Sequence, residues 1–221
     1  MDKVFLKKNT MGDEFSSPIG CIVMASGQSK RFGANKLITP LHGKLIIEYV
    51  LDAALPLNFP YFLTVTRTKE VSELCEGRGL PVLLHSMPNR NQAVALGLSA
   101  LIKAAEEKGE TLKGCMFCQG DQPLLKATSI SNMIDAFTAD PKCIYKLSKD
   151  GQAGSPVIFP SEFFDQLLCL EEKNGGSAII RKNPDRVRLV PAQDMYELFD
   201  IDTGEDYDKV SEVLKEFAHL L

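Results

Sequence analysis

The stretch MASGQSKRFGANKL, Met24 to Leu37, sets two glycines, Gly27 and Gly33, among the cations Lys30, Arg31 and Lys36, directly behind the apolar run IGCIVMA. Glycines let a backbone turn tightly and approach a ligand, and exposed N–H groups then cradle anionic oxygens. Arg31 and Lys36 add positive charge to that cradle. The chemistry implied is the grip of a polyphosphate, as in a nucleoside triphosphate. Two familiar phosphate loops are excluded by spacing. Gly27 and Gly33 lie six apart and are followed by Ala34 and Asn35 rather than by G-K-[ST], and no G-x-G-x-x-G occurs here. On residue content alone, a solvated surface loop remains open.

A loop can hold a ligand only if rigid elements position it. IGCIVMA (19–25) predicts a strand and LIIEYVLDAAL (45–55) a helix. The alternation continues through strand YFLTVTR (61–67), helix KEVSELCEG, strand LPVLLH (80–85) and the long helix NQAVALGLSALIKAAEEKG. Strand GCMFCQGD (114–121) follows. Beyond it the pattern gives a helix near 129–138, a strand near 143–147, a short strand SPVIF, two short helices, a strand VRLVP and a last helix after Asp206. Such alternation builds βαβ units, hence a doubly wound, mostly parallel sheet in a three-layer α/β/α arrangement. In open sheets of this class ligands bind beyond the carboxyl ends of the strands, where the glycine loop falls.

The chain of 221 residues is 44% hydrophobic and 24% charged with a formal charge of −4, which suits a single domain and argues against a nucleic-acid partner. No apolar run approaches a membrane span, and MDKVFLKKNTMGDEFSS lacks the apolar middle of a secretion signal. The expectations are a cytoplasmic protein, no membrane partner, a flexible tail over 1–17 and one domain over 18–221. Six cysteines fall short of a disulfide framework. Cys115 and Cys118 form a C-x-x-C, but positions three apart on a strand face opposite ways, so buried thiols are expected rather than a zinc or redox pair.

MASGQSKRFGANKL resembles the x-A-x-G-x-S-x-R-x-G-x-x-K-L signature of MobA/MocA-like nucleotidyltransferases, which include the molybdenum cofactor cytidylyltransferases and guanylyltransferases and the methylerythritol phosphate cytidylyltransferases. The matching residues are Ala25, Gly27, Ser29, Arg31, Gly33, Lys36 and Leu37. The resemblance implies a Rossmann-like nucleotidyltransferase fold in which Arg31 and Lys36 hold the triphosphate and Lys36 meets charge developing on the α-phosphate. GDQPLL (120–125) is similar to the family's G-D-x-P, whose Asp binds magnesium, and FDIDTGEDY (199–207) to the F-D-I-D-T-P-E-D-[LY] of the molybdenum cofactor cytidylyltransferases, with Gly204 in place of Pro. This implies Mg2+ as cofactor, with Asp121 as one ligand and Asp202 or Asp200 as another. Carboxylates suit that ion, which takes one or two of them together with substrate phosphates. Asp121 serves equally as a turn residue before Pro123, and the acidic residues beside Thr203 as helix caps.

Ser26 occupies the position where, by resemblance, Gly marks guanylyltransferases and Ala cytidylyltransferases; a side chain leaves less room for a purine and favours CTP. RNQAVALGL (90–98) resembles a nucleotide-binding helix start, bringing in Gln92, with Ala93 where Ser is usual. GSPVIF (154–159) resembles the G-x-P-V-x-F element of the molybdenum cofactor branch, and NGGSAIIRK (174–182) its glycine-rich segment. Gly154, Pro156, Gly175, Gly176 and Arg181 are thereby candidates for binding a molybdopterin-type acceptor.

The expected function is transfer of CMP from CTP to the phosphate of that cofactor, with catalytic residues Lys36, Arg31 and Asp121, nucleotide contacts from Ala25 to Lys36, and a transient molybdenum hydroxylase as a further partner. A sugar or polyol phosphate acceptor, and a non-catalytic cofactor carrier or maturation chaperone, stay open. His42, His85 and His219 receive no catalytic role.

Overall fold

The computed structural model describes residues 4–5, 18–27, 32, 35–170 and 175–218. Its strands are β1 (Val4–Phe5), β2 (Ile19–Ala25), β3 (Pro40–Leu41), β4 (Lys44–Leu45), β5 (Tyr61–Thr66), β6 (Val82–Leu84), β7 (Gly114–Gln119), β8 (Ile144–Lys149), β9 (Gln152–Pro160) and β10 (Val187–Pro191). Its helices are α1 (Ile46–Ala54), α2 (Lys69–Gly77), α3 (Arg90–Glu106), α4 (Ala127–Ala139), α5 (Phe164–Leu168), α6 (Gly176–Lys182) and α7 (Gly204–Ala218).

Eight strands form one sheet in the order β1-β6-β5-β2-β7-β9-β8-β10, while β3 and β4 make a separate hairpin. Strands β6, β5, β2 and β7 pair in parallel, as do β8 and β10; β9 runs antiparallel to both β7 and β8, and β1 antiparallel to β6. The expected α/β, mostly parallel architecture is therefore present. The SPVIF strand is longer than expected, since β9 begins at Gln152, and the last helix begins at Gly204 rather than after Asp206. Two residues inside the expected tail, Val4 and Phe5, pair with Leu83 and Val82.

Alternation along β2 divides the core. Cys21, Val23 and Ala25 pack with residues of α1, α2, α4 and α7; Ile22 and Met24 pack with residues of α3, α5 and α6 on the other face. Cys118 and Cys115 obey the same alternation, lying in opposite clusters and wholly buried. On α3, Leu98 and Leu101 are fully buried, each contributing about 1.5–3 kcal/mol. The helix seats closely because Gly97 lacks a side chain, as a Cβ there would come within 2.6 Å of Val65.

The chain leaves β2 toward β5 and β6 and then crosses back to β7 on the other side. The carboxyl ends of β2 and β7 thus flank the point where winding reverses, the crevice in which such sheets bind ligands. Among the described residues no helix is long and apolar enough to cross a membrane.

Candidate active site

Two loops meet at that crevice. Gly120, immediately after β7, donates its N–H to the Met24 carbonyl at 3.0 Å. A Cβ at Gly120 would approach this oxygen to 3.2 Å, so glycine keeps the two strand ends in close register. Asp121 follows, and its carbonyl accepts from the Ile201 N–H at 3.0 Å, which draws the 199–203 segment to the same edge.

Lys36 opens a short 3-10 turn, Lys36–Ile38, whose Leu37 is buried in the core. That anchor directs Lys36 into the crevice. Its ammonium lies 2.6 Å from Asp121 Oδ2 and 2.9 Å from Asp202 Oδ1, with the residue only 5% exposed. Burial works to lower the Lys36 pKa, but Asp121 and then Asp202 outweigh it, and the net shift is upward. The lysine is held as a cation.

Asp200 shows the opposite imbalance. Although the residue as a whole is exposed, loss of hydration at its carboxyl, with repulsion from Asp121 and Asp202, lifts its pKa to about 6, against partial relief from a Gln122 hydrogen bond and from Lys36. Among the described residues no three His, Cys, Asp or Glu side chains converge into a complete metal cage. An acidic cluster with excess negative charge and an incomplete donor set fits an ion such as magnesium, which takes one or two carboxylates and completes its shell from phosphates and water.

The capping alternative for this segment is answered by other residues. Thr203 and Asp206 cap α7 reciprocally: Asp206 N–H donates to Thr203 Oγ1 at 3.2 Å, while Asp206 Oδ2 accepts from the backbone N–H groups of Thr203 at 2.8 Å and Asp202 at 3.1 Å. The Asp202 carboxylate is turned to Lys36 instead.

At the start of the glycine loop, Ala25 is buried and Ser26 half-buried, and Gly27 is exposed with open space around it. Thr66 Oγ1 donates to the Ala25 carbonyl at 3.1 Å, and Ser26 Oγ donates to the Val65 carbonyl at 3.0 Å. Ser29, Arg31 and Gly33 lie outside the described residues.

The α3 start is capped by Asn89, whose Oδ1 accepts from the Gln92 N–H at 3.0 Å; the Gln92 side chain is exposed. Ala93 is fully buried in the core and thus faces away from solvent. Gly175 lies beside α3, since a Cβ on it would sit 3.7 Å from Asn91 Oδ1. Gly154 abuts Leu198, just before the acidic segment, and Pro156 is buried in β9. Gly175 and Gly176 thus stand at the start of α6. Arg181 does not join them: it is exposed in the last turn of that helix.

Sequence reasoning missed His85. This residue is 5% exposed at the end of β6, and its Nε2 lies 2.7 Å from Ser26 Oγ. Gln122, 2% exposed, was missed as well. The available signal was topological, for His85 follows directly on β6 and Gln122 lies three residues past β7, in the turns at the carboxyl ends of these parallel strands.

Comparison with known proteins gives the family and the fold. A family model described as "MobA-like NTP transferase domain" matches residues 21–187. The purine catabolism protein PucB of Bacillus subtilis (strain 168) is 28% identical over 86% of this chain and 94% of its own length. A protein of Aquifex aeolicus (strain VF5) named "Probable molybdenum cofactor guanylyltransferase" is 29% identical over 58% of each chain. Among solved structures, Rv0371c of Mycobacterium tuberculosis H37Rv superposes with a TM-score of 0.74 at 21% identity, covering 89% of this chain and 98% of that one.

Proposed function

The chain belongs to the family of MobA-like NTP transferase domains, and from that premise we propose that it transfers CMP from CTP to the phosphate of a molybdopterin-type cofactor, releasing pyrophosphate. The observation that carries this proposal is the buried Lys36 ammonium set between Asp121 and Asp202 where β2 and β7 end.

In the reaction an oxygen of the acceptor phosphate bonds to the α-phosphorus of the triphosphate, the α–β bridging bond breaks, and pyrophosphate leaves. The acceptor is already ionised, so alignment and charge neutralisation suffice and no protein nucleophile is needed. Lys36 stabilises the charge that grows on the α-phosphate oxygens. Gly27 and the amides beside it hold the triphosphate, a task that Arg31 shares by its place in the motif. Gln92, exposed at the start of α3, is assigned to the nucleotide, and Gly154, Pro156, Gly175 and Gly176 to the acceptor. Magnesium held by Asp121 and Asp202, with Asp200 beside them, would neutralise phosphate charge.

CTP is preferred because a side chain at residue 26 narrows the space for a purine. GTP is the competing donor, since a relative is named as a guanylyltransferase. Melting temperatures with CTP, GTP, ATP or UTP plus magnesium decide between them, because a ligand bound by the native state alone raises stability by mass action. A rise with CTP alone supports the proposal, and a rise with GTP alone replaces the donor.

A further inference from the structure

We propose that His85 is a positioning residue for the nucleotide, acting through the Ser26 hydroxyl to hold Ser26 and Gly27, where the chain leaves β2, in place for binding. The inference rests on the triphosphate site proposed above.

The hydrogen bonds to Met87 and Val65 set the direction of the contact between His85 and Ser26. Met87 N–H donates to His85 Nδ1 at 3.0 Å, so Nδ1 carries no proton and Nε2 does. The Nε2–H therefore donates to Ser26 Oγ at 2.7 Å, and that hydroxyl passes its own hydrogen to the Val65 carbonyl at 3.0 Å. His85 is fixed in turn, since its backbone N–H donates to the Thr66 carbonyl at 3.0 Å. The ends of three neighbouring strands, β2, β5 and β6, are thus joined by one directional relay.

This relay has two consequences for a ligand. The Ser26 hydroxyl is committed to the sheet, so Ser26 offers a ligand its backbone and Cβ, as alanine would. In addition, the relay links the first residues of the glycine loop to Met87, two residues before the Asn89 cap of α3. The starts of the two segments assigned to the nucleotide, at Ser26 and at Met87, are thereby fixed to each other before it arrives, and backbone ordered in advance loses less entropy on binding. A neutral imidazole serves here because it accepts on one side and donates on the other.

Two measurements on the full chain test the proposal. The first is hydrogen exchange without nucleotide. His85→Ala should accelerate exchange at Ser26, Gly27 and Met87 while leaving α4 unchanged; unaltered exchange at Ser26 and Gly27 overturns the proposal whether or not any triphosphate binds. The second is calorimetric binding of magnesium CTP and magnesium GTP. His85→Ala and Ser26→Ala should each weaken the better ligand by about tenfold, the scale of one ordering cost, and the double variant should lose no more than either single one. His85→Gln, whose amide can still donate to Ser26, should recover most of the loss and remains informative if His85→Ala fails to fold. Additive losses, or full affinity in both single variants, overturn the inference. A wild-type protein that binds no triphosphate refutes the proposed function instead, and hydrogen exchange alone then decides whether the relay exists.

Discussion

The Lys36 ammonium lies 2.6 Å from the Asp121 carboxylate, joining the loop that follows β2 to the loop that follows β7. The same nitrogen reaches Asp202 at 2.9 Å. A cation thus already sits among the carboxylates that the proposed mechanism gives to magnesium, and under that mechanism a bound metal would compete with Lys36 for the same oxygens.

Lys36→Ala tests this relationship in two ways. Turnover should fall by at least about a hundredfold, the scale of removing one electrostatic interaction from the transition state. The affinity for Mn2+ in the absence of nucleotide should rise, because the competing ammonium is gone; a manganese titration reads this directly. Weaker Mn2+ binding in the variant would reverse the assignment.

Asp200→Asn separates stability from function. The folded protein lifts this carboxyl from 3.8 to about 6, so it takes up protons more readily folded than unfolded. For a raised acid, the stability contributed is fully present below the unfolded value and is lost as pH rises through the folded one. The wild type should therefore lose stability between about pH 4 and pH 6 through this group. A neutral amide removes that dependence. Partial solvent access limits the effect, and melting at pH 7.5 should rise by on the order of 1–2 °C without metal. Activity should fall at the same time.

Gly204→Pro should stabilise the fold without altering turnover. Gly204 is the first residue of α7, where proline's fixed φ is suited, and a Cβ there meets open space. Restricting the unfolded chain contributes about 0.4–1 kcal/mol, readable by urea denaturation.

The thiols should behave as core residues. Burial pushes the Cys115 and Cys21 thiols well above their usual range, and Cys169 is the exposed cysteine. Labelling of the native protein with a thiol reagent should show one fast site, absent in Cys169→Ser. Cys118→Ser should keep activity and metal content unchanged.

Much of this was legible in order and spacing. Period-two and helical patterns located the central strands, and the rule that α/β sheets bind ligands at strand ends already placed Lys36 and Asp121 at one edge. The reversal of β9 was less legible, because SPVIF reads as a strand of either direction and its partners, β7 and β8, are fixed only in three dimensions. The role of Asp202 was ambiguous for a related reason: an acidic residue beside Thr203 caps a helix or binds a cation depending on where its side chain turns, and here Asp206 takes the cap. His85 was illegible because its partner, Ser26, is fifty-nine residues away. Arg181 stands close to Gly175 and Gly176 in sequence, and a seven-residue helix then carries it to its far end, a separation that spacing alone does not show.

The most direct test of the proposed reaction is pyrophosphate release by the purified protein with magnesium, CTP and a molybdopterin-type cofactor, with each component omitted in turn and GTP, ATP and UTP in parallel. The expected result is pyrophosphate and a cytidylylated cofactor in equal amounts only when CTP, cofactor and metal are all present. A protein that binds the cofactor yet releases no pyrophosphate from any of these triphosphates would contradict the mechanism and leave a carrier in its place.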